Sequence, residues 1–146
     1  MSVKTFRGLI KDGSQKRIRL STKNGLIGYK IKKFQIIAHR PGSSGSDAEH
    51  TVQLFSQEQA TVSNLINFEN PLLLAAATMG NSASSYVYGS TPVIIVDNMK
   101  INQDIYVTHK ETTGAEPVNY YIELEQMKLD LNEATVATLK DMRGRE

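Results

Sequence analysis

Apolar and polar residues alternate with period two through most of this chain, the mark of strands that bury one face. Gln15–Leu20 sets Ile18 and Leu20 on one side and Arg17 and Arg19 on the other. Tyr29–Ala38 alternates with a slip: Tyr29 and Ile31 share parity with Lys33, whereas Phe34, Ile36 and Ala38 take the opposite parity. Either a bulge near Lys32–Lys33 restores the register or the strand changes sheets there. Thr51–Phe55, Pro92–Val96, Ile101–Thr108 and Asn119–Leu129 complete the predicted strands. The last also changes phase, from Tyr120, Ile122 and Leu124 to Met127, Leu129 and Leu131. Two long strands that change phase fit strands bent across the corner of a sandwich or barrel.

The punctuation between strands agrees. Asp12-Gly13 and Asn24-Gly25 are tight-turn dipeptides because both residues tolerate positive φ. Thr113-Gly114 reads as a hairpin turn, and Pro41–Ser46 and Gly80–Ser85 read as surface loops. Strands recurring between such turns, without long interleaved helical patterns, predict one all-β domain over residues 1–146, an antiparallel β-sandwich with a jelly-roll-like course and arms at its two ends.

Two segments read both ways. Asn70-Pro71 followed by LLLAAATM and Gly80 has the caps of a helix and equally the composition of a fully buried strand. Asn132–Met142 predicts a short terminal helix or arm, with Asn132 as cap and Leu131, Thr135, Leu139 and Met142 on one face. Its β-branched Thr135, Val136 and Thr138 weaken the helix.

Charge sharpens the picture. Residues 1–40 hold eleven basic side chains against one acidic, and residues 41–146 hold six basic and fourteen acidic. The net charge of +2 therefore hides two opposed fields, which suits self-association or adhesion to a charged neighbour. Arg17, Arg19, Lys30 and Lys32 are expected on one exposed face of adjacent strands across the Asn24-Gly25 turn. That face could guard against aggregation, dock on an acidic protein or contact phosphates. With few aromatics and no recognised module, nucleic acid is not the expected partner.

Candidate chemistry is sparse. Zero cysteines remove disulfides, thiolate nucleophiles and Cys-based zinc sites, and fit synthesis inside a cell. MSVKTFRGLI has no apolar run of signal-peptide length, and Leu72–Ala77 is too short to span a bilayer, so neither leader nor membrane helix is expected. His39, His50 and His109 are scattered; a hydrolase would have to draw on Ser43, His39 and Asp47 without a nucleophile elbow. Asp97-Asn98 and Asn102-Gln103-Asp104 cluster oxygen ligands without the spacing of a calcium loop. Gly8, Gly13, Gly25 and Gly28 form no nucleotide-binding fingerprint. The expectation is a chain that is not an enzyme and uses no cofactor or metal.

Three blocks carry a resemblance: RIRLSTKNGLIGYKIKKFQII, VIIVDNMKINQDIYVTH and NYYIELEQMKLDLNEATVATLKDMR. Together they resemble a group of small proteins encoded by marine tailed phages that look like virion structural components. The resemblance implies a copy-rich shell or tail component located in the virion. Its foremost role would be a capsid decoration (cement) protein that binds the major capsid protein or other virion proteins as a homo-oligomer, most simply a trimer. Its second role would be a tail or fibre-attachment protein. The expected contact residues are Val3, Phe6 and Arg7 in an N-terminal arm, Arg17, Arg19, Lys30 and Lys32 on the basic strands, and Leu139, Met142 and Arg143 at the C-terminus, with the Gly42–Ser46 loop beside them.

Overall fold

The computed structural model describes the chain except residues 1, 23–24, 42–47, 82–91, 97–99, 113 and 144–146, and the side chains of 81 and 140–143. It is all-β with one short helix. The strands are β1 (Ser2–Ile10), β2 (Gln15–Ile18), β3 (Ile27–Ala38), β4 (Ala48–Phe55), β5 (Leu73–Asn81), β6 (Val93–Ile95), β7 (Ile105–Glu111) and β8 (Val118–Lys128), followed by helix α1 (Leu131–Arg143). Two antiparallel sheets pack together: sheet A in the order β1-β8-β3, and sheet B in the order β2-β7-β4-β5-β6.

That order is what results when a chain is doubled once between β4 and β5 and the resulting ribbon is rolled up. Doubling pairs strand 4 with 5, 3 with 6, 2 with 7 and 1 with 8. The 4–5, 2–7 and 1–8 ladders are all present. The remaining pair survives as a bridge just past β6, where Tyr29 and Ile101 exchange two backbone hydrogen bonds of 2.8 Å. A rolled double ribbon is the jelly-roll plan.

The tight turns act differently from simple hairpin turns. Asp12-Gly13 carries the chain from β1 in sheet A to β2 in sheet B, and the Gly25 turn carries it back to β3. Gly13 and Gly25 adopt φ of 73° and 68°, left-handed values that cost a side chain energy. The connection after β7 likewise passes from sheet B to β8 in sheet A, so β7 and β8 are not a hairpin; Thr113 of the predicted turn lies outside the described residues. Alternation marks strand ends but not which sheet the next strand enters.

The phase slip in β3 is a bulge. Ile31 pairs with Leu124 and Lys33 with Glu123, leaving Lys32 as the extra residue, so Tyr29 and Ile31 before it and Phe34 and Ile36 after it all reach the core. The ambiguous Leu73–Asn81 segment is strand β5, buried from Leu73 through Ala77. Phe34, Ile10, Leu54, Ile105, Ile122 and Leu124 are among the largest fully buried side chains. Each contributes roughly 1.5–3 kcal/mol on leaving water.

The C-terminal segment is the helix α1, capped by Asp130 rather than Asn132. Asp130 Oδ1 accepts from the Glu133 amide at 2.7 Å, and Glu133 Oε1 accepts from the Asp130 amide at 3.4 Å, a capping box visible in the spacing D-x-x-E. The helix buries Ala134 and Ala137, and the buried Asn102 amide donates to Ala134 O and Thr138 Oγ1. Leu131 and Leu139, expected together on one face, point to solvent at 75% and 48% exposure. Small residues at the contact let the helix lie close to its own domain. No described helix is long and apolar enough to cross a membrane.

Candidate functional site

The N-terminal segment expected as an arm is β1, paired along its whole length with β8. Val3 and Arg7 face outward and Phe6 packs against the core. Basic residues on β2 and β3 do not form one patch. β2 pairs with β7 in sheet B and β3 with β8 in sheet A, because the Gly25 turn crosses between sheets. Arg17 and Arg19 are exposed, yet Arg17 is bound to Asp104, and on the other sheet Lys32 is bound to Glu125 at 3.1 Å beside a half-buried Lys30. Leu139 is exposed on α1. The side chains of Met142 and Arg143 and the 42–46 loop lie outside the described residues, as do Ser43 and Asp47. His39 is exposed at the end of β3.

Asp104 is bound within the chain, and Asn102 donates through its amide nitrogen while its buried Oδ1 has no hydrogen-bond partner among the described residues. Asp104 Oδ1 accepts from the Leu20 and Ser21 amides at 2.8 Å each, and Oδ2 accepts from Arg17 Nε at 2.6 Å. Burial favours the protonated acid, but these donors outweigh it and hold the carboxyl down to about 2. The group is an internal clamp for the chain after β2. Beside it lies a polar cleft of about 290 Å³ that includes Ser21, Ser56, Glu58 and Tyr106. Arg17 and Asp104, which also line it, are bound to each other, and Glu58 is its third charged member. Among the described residues no group of three or more His, Asp or Glu is placed to hold a metal ion.

Sequence scatter concealed a histidine pair. His50 on β4 and His109 on β7 point inward with Val52, Leu54, Ile105 and Val107, and His50 Nδ1 lies 2.9 Å from His109 Nε2. His109 Nδ1 faces the Ile10 carbonyl at 3.1 Å, which only accepts, so Nδ1 carries the hydrogen and Nε2 accepts from His50. Burial pushes both imidazoles below their ordinary value, and for His50 the proximity of His109 pushes further. Their shared inward parity with apolar neighbours was the signal available in the sequence. Both imidazoles are buried in the interior.

The most exposed apolar feature is a loop that the alternation pattern passes over. Residues 56–72 join β4 to β5 and carry Leu65, Ile66 and Phe68 at 79%, 37% and 58% exposure. The loop is held firmly. Gln53, on the outward side of β4 yet 2% exposed, donates from its amide to Ser63 O and Leu65 O at 3.3 and 3.2 Å. Gln15 and Gln59 exchange a second pair of bonds at 3.0 and 2.8 Å. Asn67 and Asn70 close Asx turns onto the amides of Glu69 and Leu72. The segment therefore covers the outer face of sheet B and presents three large apolar side chains in a set geometry.

Among the described residues, sheet A has no such cover. Its outward rows are Val3–Glu125–Lys30, Thr5–Glu123–Lys33, Arg7–Tyr121–Gln35 and Leu9–Asn119–Ile37. Val3 and Ile37 are about as exposed as Phe68, at 58% and 60%. The chain is thus a jelly-roll-like sandwich with an exposed apolar loop over one sheet and exposed apolar residues on the outer face of the other. The chain matches no protein-family model, and comparison with curated proteins and with solved structures finds no match.

Proposed function

We propose that this protein is a non-enzymatic structural component of a phage virion, foremost a decoration protein that binds the capsid surface. The observation that carries the contact role is the Leu65–Phe68 loop, whose backbone is held by side-chain hydrogen bonds while its apolar side chains stand exposed. A preorganised apolar anchor loses little conformational entropy on binding, which is how a small contact gains affinity. The resemblance to marine tailed-phage proteins supplies the setting, and a jelly-roll domain is a common building unit of viral shells, although fold alone does not assign function. Mass spectrometry of separated heads and tails from a phage that encodes the chain tests this reading. Many copies in the head fraction are expected; finding the chain only in tails would favour the tail-attachment role, and its absence from purified particles would contradict both.

A further inference from the structure

The two open surfaces differ in charge as well as in place. On the outer face of sheet A, Arg7, Lys30, Lys32 and Lys33 stand against Glu123 and Glu125, so positive charge is in excess among exposed Val3, Leu9 and Ile37. The β4–β5 loop carries Glu58 and Glu69, and no lysine or arginine occurs anywhere from residue 51 to residue 99. Glu58 lies beside Arg17 in the cleft, so Glu69 is the charge that flanks the knob: an apolar knob with an acidic flank, against an apolar face with positive charge in excess.

They also lie on opposite sides of the molecule. The loop lies over the outer face of sheet B through Gln53, while the open face belongs to sheet A, the other layer of the sandwich. One copy cannot satisfy its own surfaces. Two copies meeting face to face would oppose like charges, and so would two meeting knob to knob. We propose that the Leu65–Phe68 loop of one copy docks on the outer face of sheet A of a second copy. Such a head-to-tail contact is heterologous, so it closes into a ring or continues as an array. The inference deepens the structural-component reading and rests on it for its biological setting, but the contact itself is tested on the protein alone.

The experiment is sedimentation velocity on the full chain and two variants. One loses the knob (Leu65→Glu with Phe68→Glu) and the other loses the face (Arg7→Glu, Lys33→Glu and Ile37→Glu). The wild type is expected to self-associate with rising concentration, more weakly at high salt. Each variant alone stays monomeric, because each keeps only one half of the contact. An equimolar mixture forms a heterodimer that grows no further, since its two remaining surfaces are the damaged ones. The milder pair Phe68→Ser and Ile37→Ser serves if either variant fails to fold, each alone weakening association about tenfold or more. A wild type that stays monomeric up to its solubility limit overturns the proposal. So does either variant that associates like the wild type, or a mixture that stays monomeric. If the chain is monomeric yet abundant in purified heads, this inference falls and the virion reading stands; if the mixture dimerises but particles lack the chain, the reverse holds.

Discussion

The two sheets of this sandwich solve the same problem in opposite ways. Both have an inner face filled by large aliphatic side chains. Sheet B hides its outer face under its own chain: Gln53, Ala76 and Thr108 are covered, each at or below 5% exposure. Sheet A leaves Val3, Thr5, Lys33, Gln35 and Ile37 to solvent. Covering a face with irregular chain requires a partner for every buried polar group. Sheet B accordingly depends on side-chain clamps, Asp104 at one edge and Gln53 beneath the loop, whereas sheet A depends on its ladders and the core. The difference predicts where substitutions are costly and where they are silent.

Breaking a clamp on the covered side should cost most. Asp104→Ala leaves two amides and an arginine without their acceptor and is expected to destabilise by about 3 kcal/mol, measured by urea denaturation. The same carboxylate has a pH signature. Its folded value of about 2 lies below its ordinary 3.8, so its contribution is complete above pH 3.8 and is lost as pH falls through about 2. Asp104→Asn should remove that acid-side slope.

Gln53→Ala comes next, at about 2 kcal/mol, because the Ser63 and Leu65 carbonyls lose their donor. Hydrogen exchange should show the loss concentrated in residues 56–72. A protection loss spread evenly over both sheets would mean that the loop is not held by this side chain.

The histidine pair gives a separate window. Both values are lowered by burial, so the unfolded chain binds protons more readily than the folded one below pH 6.5. Stability should therefore be complete above pH 6.5 and decline as pH falls from there. Glu111, Asp12 and Glu116 oppose the effect at His50, as Asp12, Glu111 and the Lys11 and Ile10 backbone do at His109. A melting temperature unchanged between pH 8 and pH 5 would refute the neutral pair.

Surface changes on the open side should be nearly silent in the isolated domain. Ile37→Thr on sheet A and Leu65→Ser on the loop are each expected to change stability by less than about 0.5 kcal/mol. The proposed docking places their effect in assembly, and a large thermal shift from either would show that the side chain supports the fold.

Much of this architecture was legible in the alternation of residues. The parity change between Ile31 and Phe34 announced either a bulge near Lys32–Lys33 or a change of sheet, because a core-facing strand cannot slip by one residue without exposing its apolar set, and β3 takes the bulge. Sheet membership was hidden, since a positive-φ glycine turn serves a hairpin and a crossing between layers equally well. That ambiguity put Arg17 and Arg19 on one patch with Lys30 and Lys32, which the two sheets separate. The 56–72 loop was invisible for a related reason. Its order comes from Gln15, Gln53 and Gln59 meeting across the fold, and no local pattern announces such pairings.

The central claim is that the bare face of sheet A and the Leu65–Phe68 loop are contact surfaces. The chain contains no cysteine, so single thiols can report on it without background. Ile37→Cys on the face, Phe68→Cys on the loop and Lys11→Cys at an exposed turn would be treated with a maleimide in dilute and in concentrated, self-associated protein. Cysteines at 37 and 68 are expected to react freely when dilute and to be protected on association, while the cysteine at 11 reacts equally in both. Equal reactivity at 37 and 68 in the two states would contradict the claim.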